Sequence, residues 1–77
     1  MKPNQYRTKD LGETSALIAM KICLVGIDRI EHICWFIFED YDLCKKLSSQ
    51  YFFGDLQVNA REFYEAMLRA KGKIFNN

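Results

Sequence analysis

Two apolar runs separated by a polar break occupy the middle of the chain, from Cys23 to Glu39. Both runs are rich in β-branched and aromatic residues, so the pattern predicts a β-hairpin with strands at about 23–30 and 33–39. Side chains alternate along a strand, and both faces of this hairpin are apolar. A chain of 77 residues has few elements with which to cover two such faces. The hairpin is therefore expected to lie between helices or against another chain.

The sequence leaves the length of the hairpin loop open. A two-residue turn at Glu31-His32 pairs Ile30 with Ile33, whereas a four-residue loop at 29–32 pairs Asp28 with Ile33. The two registers differ by two residues and preserve the faces. One face carries Cys23, Val25, Ile27, Cys34, Phe36 and Phe38, and we assign it to the core. The second face carries Leu24, Gly26, Asp28, Ile33, Trp35 and Ile37.

Helical periodicity predicts three helices: Leu11 to about Lys21, Tyr41 to about Phe53, and a third that begins at Ala60. Each follows residues suited to N-capping, which are Asp10, then Asp40 or Glu39, then Asn59. Glu13 and Glu62 stand at the spacing of a capping box. The third helix has the cleanest apolar stripe, formed by Ala60, Phe63, Tyr64, Met67 and Leu68.

A short extended segment at Gln5–Thr8 completes the order β-α-β-β-α-α, which indicates a small α+β domain with the antiparallel hairpin packed against helices. The length favours one domain spanning residues 1–77, with flexible tails expected at 1–5 and 76–77. The second hairpin face then lies under a helix or forms the contact of a dimer, and we favour the dimer.

Composition and charge narrow the classes of partner. The net charge of +1 gives no overall attraction to nucleic acid or to an anionic membrane. The longest apolar run, Ile33–Phe38, is far shorter than the roughly 20 residues of a membrane span. Three cysteines without a CxxC spacing or a signal peptide predict a reducing, cytoplasmic location. All three are expected to be buried as small apolar residues.

Candidate chemistry is sparse. Glu39, Asp40 and Asp42, with Asp28, could bind a divalent metal, but acidic residues at a helix start are also what capping and the helix dipole favour. His32 stands alone at the predicted turn, where a solvated side chain is the simpler interpretation. We therefore predict no catalytic residue, no metal, no cofactor and no small-molecule substrate, and hence that the protein is not an enzyme.

Three segments carry a family resemblance: Tyr6-Arg-Thr-Lys-Asp10, Cys34-Trp-Phe-Ile-Phe-Glu-Asp40 and Asn59-Ala-Arg-Glu-Phe63. Together they make the chain, from about Tyr6 to Phe75, resemble a family of short bacterial and phage proteins with a domain of unknown function. The resemblance implies small size and an origin in phages or other mobile elements, and it is silent about activity. The chain departs from the family pattern at Cys23, where glycine is expected.

The leading hypothesis is a non-enzymatic interaction module that binds a protein partner or forms a homodimer. Its predicted interface on the second hairpin face is Leu24, Ile33, Trp35 and Ile37. The alternative is a nucleic-acid-binding accessory protein, whose predicted contact residues are Lys2, Arg7, Lys9, Arg69, Lys71 and Lys73. A metal-dependent nuclease using Asp28, Glu39 and Asp40 ranks last, because no lysine accompanies the strand carboxylate.

Overall fold

The computed structural model describes residues 4–75 of the protein, and its element order is the predicted β-α-β-β-α-α. The strands are β1 (Gln5–Thr8), β2 (Leu24–Ile30) and β3 (Ile33–Glu39), and the helices are α1 (Leu11–Ala19), α2 (Tyr41–Phe53) and α3 (Ala60–Phe75). Of the predicted tails, residues 1–3 and 76–77 lie outside the described residues. Asn4 accepts a backbone hydrogen bond from Tyr41, and Gln5 already belongs to β1.

The three strands form one antiparallel sheet in the order β1-β3-β2, which confirms that the hairpin is packed against helices and extended by β1. The hairpin has the shorter of the two loops considered, because Ile30 pairs with Ile33. Both turn residues, Glu31 and His32, have positive φ values, 49° and 69°. Two consecutive left-handed residues give the loop a twist that matches the twist of the strands, although neither residue is the glycine or asparagine usually found there.

A β-bulge interrupts β2 near its start. Leu24 lies opposite Phe38, but Gly26 lies opposite Ile37, so Val25 is an extra residue without a partner in β3. The bulge moves Leu24 to the face that carries Phe38, and Val25 is 42% exposed. The prediction that Cys23 and Val25 belong to the core is therefore wrong, since Cys23 is exposed too. The placing of Leu24 on the second face is wrong for the same reason.

The core lies between the helices and the face of the sheet that carries Phe36 and Phe38, which we call the inner face. Both rings are fully buried. The other buried apolar residues all come from the three helices: Ala16, Leu17, Ile18, Ala19, Cys44, Leu47, Ala66 and Ala70. α1 is the central helix, buried without a break from Glu13 to Ala19 because it contacts both α2 and α3.

The predicted N-caps are present at all three helices. Asp10 accepts from the Glu13 amide at 2.7 Å, Asp40 accepts from the Leu43 amide at 3.3 Å, and Asn59 accepts from the Glu62 amide at 3.0 Å. These bonds satisfy backbone donors that a helix start leaves without partners. The carboxylates of Glu13 and Glu62 do not return to the caps, because each has a partner elsewhere.

The buried stripe of α3 differs from the predicted one. Ala66 and Ala70 are buried, whereas Tyr64 and Leu68 are 56% and 49% exposed. Small alanine side chains let α1 and α3 approach closely, so the contact centres on them rather than on the larger apolar residues. None of the helices in residues 4–75 combines the length and the apolar character needed to cross a membrane.

Candidate interaction surface

The second face of the sheet, which we call the outer face, points away from the core. It is formed by Arg7, Gly26, Asp28, Ile30, Ile33, Trp35 and Ile37, which alternate with the inner-face residues in the observed register. The helices of residues 4–75 pack on the inner face. Ile30 and Ile33, next to the turn, are consequently 48% and 37% exposed. The outer face is thus an apolar surface that the described part of the chain leaves open to solvent.

Trp35 lies at the centre of the outer face, where charged side chains partly cover it. The Arg7 guanidinium is 5.9 Å and the Lys9 ammonium 5.7 Å from the centre of the indole. Arg7 also forms an ion pair with Asp28 at 3.1 Å. Because Arg7 pairs with Ile37 and Asp28 with Trp35, this ion pair crosses the central strand β3. A cation–π contact contributes about 0.5–1 kcal/mol at an exposed site.

The structure brings three of the four predicted interface residues together. Ile33, Trp35 and Ile37 alternate along β3 on the outer face. The fourth, Leu24, packs against the core because of the bulge. The sequence reasoning missed Ile30 and Val25, which add exposed apolar area at β2. Gly26 was the available signal for the bulge, because a glycine inside a strand pattern often marks one.

The predicted nucleic-acid contacts do not form one surface. Arg7 and Lys9 lie at the outer face, whereas Arg69 and Lys73 line a groove between α1 and α3 on the inner side of the sheet. Lys71 is exposed on α3, and Lys2 lies outside the described residues. The described residues among the predicted contacts therefore include two separate pairs of cations, one at the outer face and one at this groove.

The acidic residues considered as metal ligands have other partners or positions. Asp28 is paired with Arg7, Asp40 caps α2, and Glu39 is exposed at the end of β3. His32 is exposed at the turn. Within residues 4–75, no three His, Cys, Asp or Glu side chains are grouped so that they could hold a metal ion.

A buried polar network that the sequence analysis did not identify joins β1 to α1 and α2. Glu13 is only 3% exposed, and its two carboxylate oxygens accept from the hydroxyls of Tyr6 and Thr8, each at 2.5 Å. The Tyr6 hydroxyl also hydrogen-bonds with Ser48 Oγ at 3.1 Å. The signal was present in β1, because Tyr6 and Thr8 share one face of a strand next to an acidic first turn.

Two ionisable groups in this region, Tyr6 and Cys44, have raised pKa values. Burial, reinforced by the hydrogen bond to Glu13, raises the pKa of Tyr6 to about 12. Burial also raises the pKa of Cys44 to about 11, with a smaller contribution from the Asp40 carboxylate. Both groups are neutral at pH 7, so the buried thiol lacks the thiolate character that a reactive cysteine needs. The arrangement suits structural anchoring better than proton transfer.

Comparisons with protein-family models, with curated proteins and with solved structures found no match to this chain. The family resemblance noted in the sequence therefore stays a prediction.

Proposed function

We propose that the protein is a non-enzymatic interaction module that self-associates through the outer face of its sheet. The observation that carries the proposal is the open apolar face around Trp35, with Ile30 and Ile33 exposed beside it. An aromatic residue at the centre of an apolar patch is typical of residues that dominate binding energy. A partner that covers such a face would also stabilise a chain of this size by mass action.

The charges around the patch favour a second copy as the partner. Arg7 and Asp28 neutralise each other within one protomer, so the charges available to a partner are Lys9 on the β1 side and Glu31 at the turn that ends β2. A two-fold axis parallel to β3 would place the β1 side of one copy over the β2 side of the other. The basic side of each protomer would then face the acidic side of its partner, as a symmetric interface requires.

The size of the face indicates a small contact area. Three strands about 4.8 Å apart and seven residues of about 3.3 Å each span roughly 10 × 23 Å between backbone axes. This is smaller than the roughly 800 Å² that each partner contributes to a standard interface. We therefore expect a weak dimer, with a Kd in the micromolar range or above.

Sedimentation velocity between about 10 μM and 1 mM tests this proposal. We expect the weight-average mass to rise with concentration and the Trp35 emission to shift to the blue as the indole loses water. Ile33→Asp should abolish both changes, because it places a charge in the contact. Leu68→Asp is the matched control, since Leu68 is a similarly exposed apolar residue on α3. A monomer throughout the range, or equal disruption by Leu68→Asp, refutes the proposal.

A second candidate function is binding of single-stranded nucleic acid. The observation that favours it is the pair of cations, Arg7 and Lys9, beside Trp35, because cations near aromatic rings suit both phosphates and stacked bases. Asp28 opposes it by neutralising Arg7. Oligonucleotide binding that weakens with salt and with Lys9→Gln, but not with Ile33→Asp, would support this candidate over self-association.

The remaining expectations stay predictions. They are the origin in a phage or mobile element, the cytoplasmic location and the absence of enzymatic activity. The proposed self-association depends only on the composition and charge of the outer face.

A further inference from the structure

A groove of about 450 Å³ lies between the end of α1, the start of β2 and one side of α3. On α3 it is lined by residues from Glu62 to Lys73. The eleven steps from Glu62 to Lys73 rise about 16 Å along the helix, which gives the approximate length of the groove. Its volume lies within the range of small-molecule sites. We call it the α1–α3 groove.

The floor of the α1–α3 groove is apolar. It is formed by Ile18, Ala19, Ile22, Leu24 and Ala66. Leu24 reaches the groove because the bulge in β2 turns it inward. The floor therefore favours an apolar ligand that is long and narrow.

The charged residues at the rim of the groove differ in whether they have an ion-pair partner among residues 4–75. Glu62 lies 3.9 Å from Lys21, and Glu65 forms an ion pair with Arg61 at 3.2 Å. Within residues 4–75, Arg69 and Lys73 have no acidic partner for their side chains. They stand four residues apart on α3, where two like charges repel each other. An anion held between them would remove this repulsion.

We propose that the α1–α3 groove binds a single linear alkyl chain with an anionic carboxylate head. The chain lies on the apolar floor, and the carboxylate accepts hydrogen bonds from Arg69 and Lys73, which are strong because both partners are charged. An extended chain rises about 1.2 Å per bond, so about 12 carbons fill the groove. This inference is independent of self-association, because none of the lining residues belongs to the outer face.

The test uses sodium dodecanoate below its micelle concentration and follows binding by NMR titration of the full chain. We expect shifts at Ala19 and Ala66, and at least about tenfold weaker binding in Arg69→Gln/Lys73→Gln. The matched control, Lys46→Gln/Lys71→Gln, removes the same charge from exposed lysines outside the groove. Circular dichroism confirms that each variant is folded.

Further ligands distinguish the contribution of the carboxylate head from that of the alkyl chain. Dodecanol should bind at least about tenfold more weakly than dodecanoate, since it lacks the charge. Equal binding of the two, equal weakening in the control variant, or shifts confined to the outer face would overturn the proposal. Binding to phosphatidylglycerol vesicles without binding of free dodecanoate would overturn it too, in favour of a membrane surface. Dodecanoate binding that persists in Ile33→Asp separates this site from the proposed dimer contact.

Discussion

Replacing Glu13 with alanine removes the acceptor on which the Tyr6 and Thr8 hydroxyls converge. We expect this substitution to destabilise the fold strongly, because the carboxylate is 3% exposed and each of its oxygens accepts a hydrogen bond at 2.5 Å. In Glu13→Ala, the Tyr6 hydroxyl still has Ser48 as a hydrogen-bond partner. The Thr8 hydroxyl loses the carboxylate that accepts its proton. Buried donors without partners lose their hydration and gain nothing in exchange.

The magnitude follows from two opposing terms. Two hydrogen bonds to a charged acceptor contribute about 1.5–3 kcal/mol each, or roughly 3–6 kcal/mol together. Removing the carboxylate also removes part of the cost of burying it, which is itself several kcal/mol. We therefore expect a net loss of about 2–4 kcal/mol. A domain of this length is stable by only about 4–12 kcal/mol, so the fraction lost is large.

Urea unfolding at pH 7, followed by circular dichroism, measures the effect. Glu13→Gln preserves the shape and one acceptor oxygen, so it should cost about 1–2 kcal/mol and stay folded. Glu65→Ala is the control, since its ion pair with Arg61 is exposed and contributes at most about 0.5 kcal/mol. A Glu13→Ala variant as stable as Glu65→Ala would refute the reasoning. So would a coupling energy below about 0.3 kcal/mol between Glu13→Gln and Tyr6→Phe.

Three other outcomes test different parts of the structure. A Cβ atom at Gly12 would lie 2.0 Å from Tyr51 Oη. Gly12→Ala should therefore lower the free energy of unfolding by about 1–2 kcal/mol, although alanine has the better helix propensity. Adding Tyr51→Phe, which removes the clashing oxygen, should restore most of the loss. Because the Tyr6 pKa rises from 10.0 to about 12 on folding, the unfolded chain loses its phenolic proton first and the free energy of unfolding should fall by roughly 1–2 kcal/mol between about pH 10 and 12. This fall, measured by urea unfolding, should be smaller in Tyr6→Phe. Replacing Glu31-His32 with Asn-Gly should raise the melting temperature through a gain of about 1 kcal/mol, because both residues have positive φ; no gain would contradict the turn geometry.

Local signals explain why most of the fold could be predicted from the sequence. The caps at Asp10, Asp40 and Asn59 depend on one side chain and the amide three residues later, so short segments determine them. Hairpin register depends on alternation, and both registers considered preserve that alternation. The choice between the two-residue turn and the four-residue loop depends on the three-dimensional twist of the strands. The residues around Glu31 include no Asn-Gly or Asp-Gly pair that would have indicated the shorter turn.

The bulge at Val25 explains the main error. The first residues of the run Cys23–Ile27 are all apolar. When the bulge exchanges the faces on which they lie, one apolar side chain replaces another, so the hydrophobic pattern does not reveal the change of register. The consequences reach both candidate sites. Leu24 leaves the outer face and forms part of the floor of the α1–α3 groove, while Val25 becomes exposed. A strand with polar residues on one side would have revealed the same bulge.

The contacts across elements could not be predicted, because they depend on packing rather than on local pattern. The ion pair between Arg7 and Asp28 joins two strands that are not neighbours in the sheet. Glu13 looked like the second half of a capping box, since its spacing from Asp10 is correct. In the structure the Glu13 carboxylate instead accepts a hydrogen bond from Tyr6 on β1. This partner could not be identified without knowing that β1 pairs with β3.

The position of α1 explains why the outer face is open. Seven consecutive residues of α1 are buried, so the helix needs neighbours on several sides, and both α2 and α3 contact it. Small side chains such as Ala16 and Ala19 permit this close packing. All the helices are then committed to the inner face, and among residues 4–75 Trp35 is partly covered by the side chains of Arg7 and Lys9 rather than by a helix. The apolar second face is thus left open in residues 4–75 because the helices bury most of α1 and the inner face, and the proposed self-association would cover it.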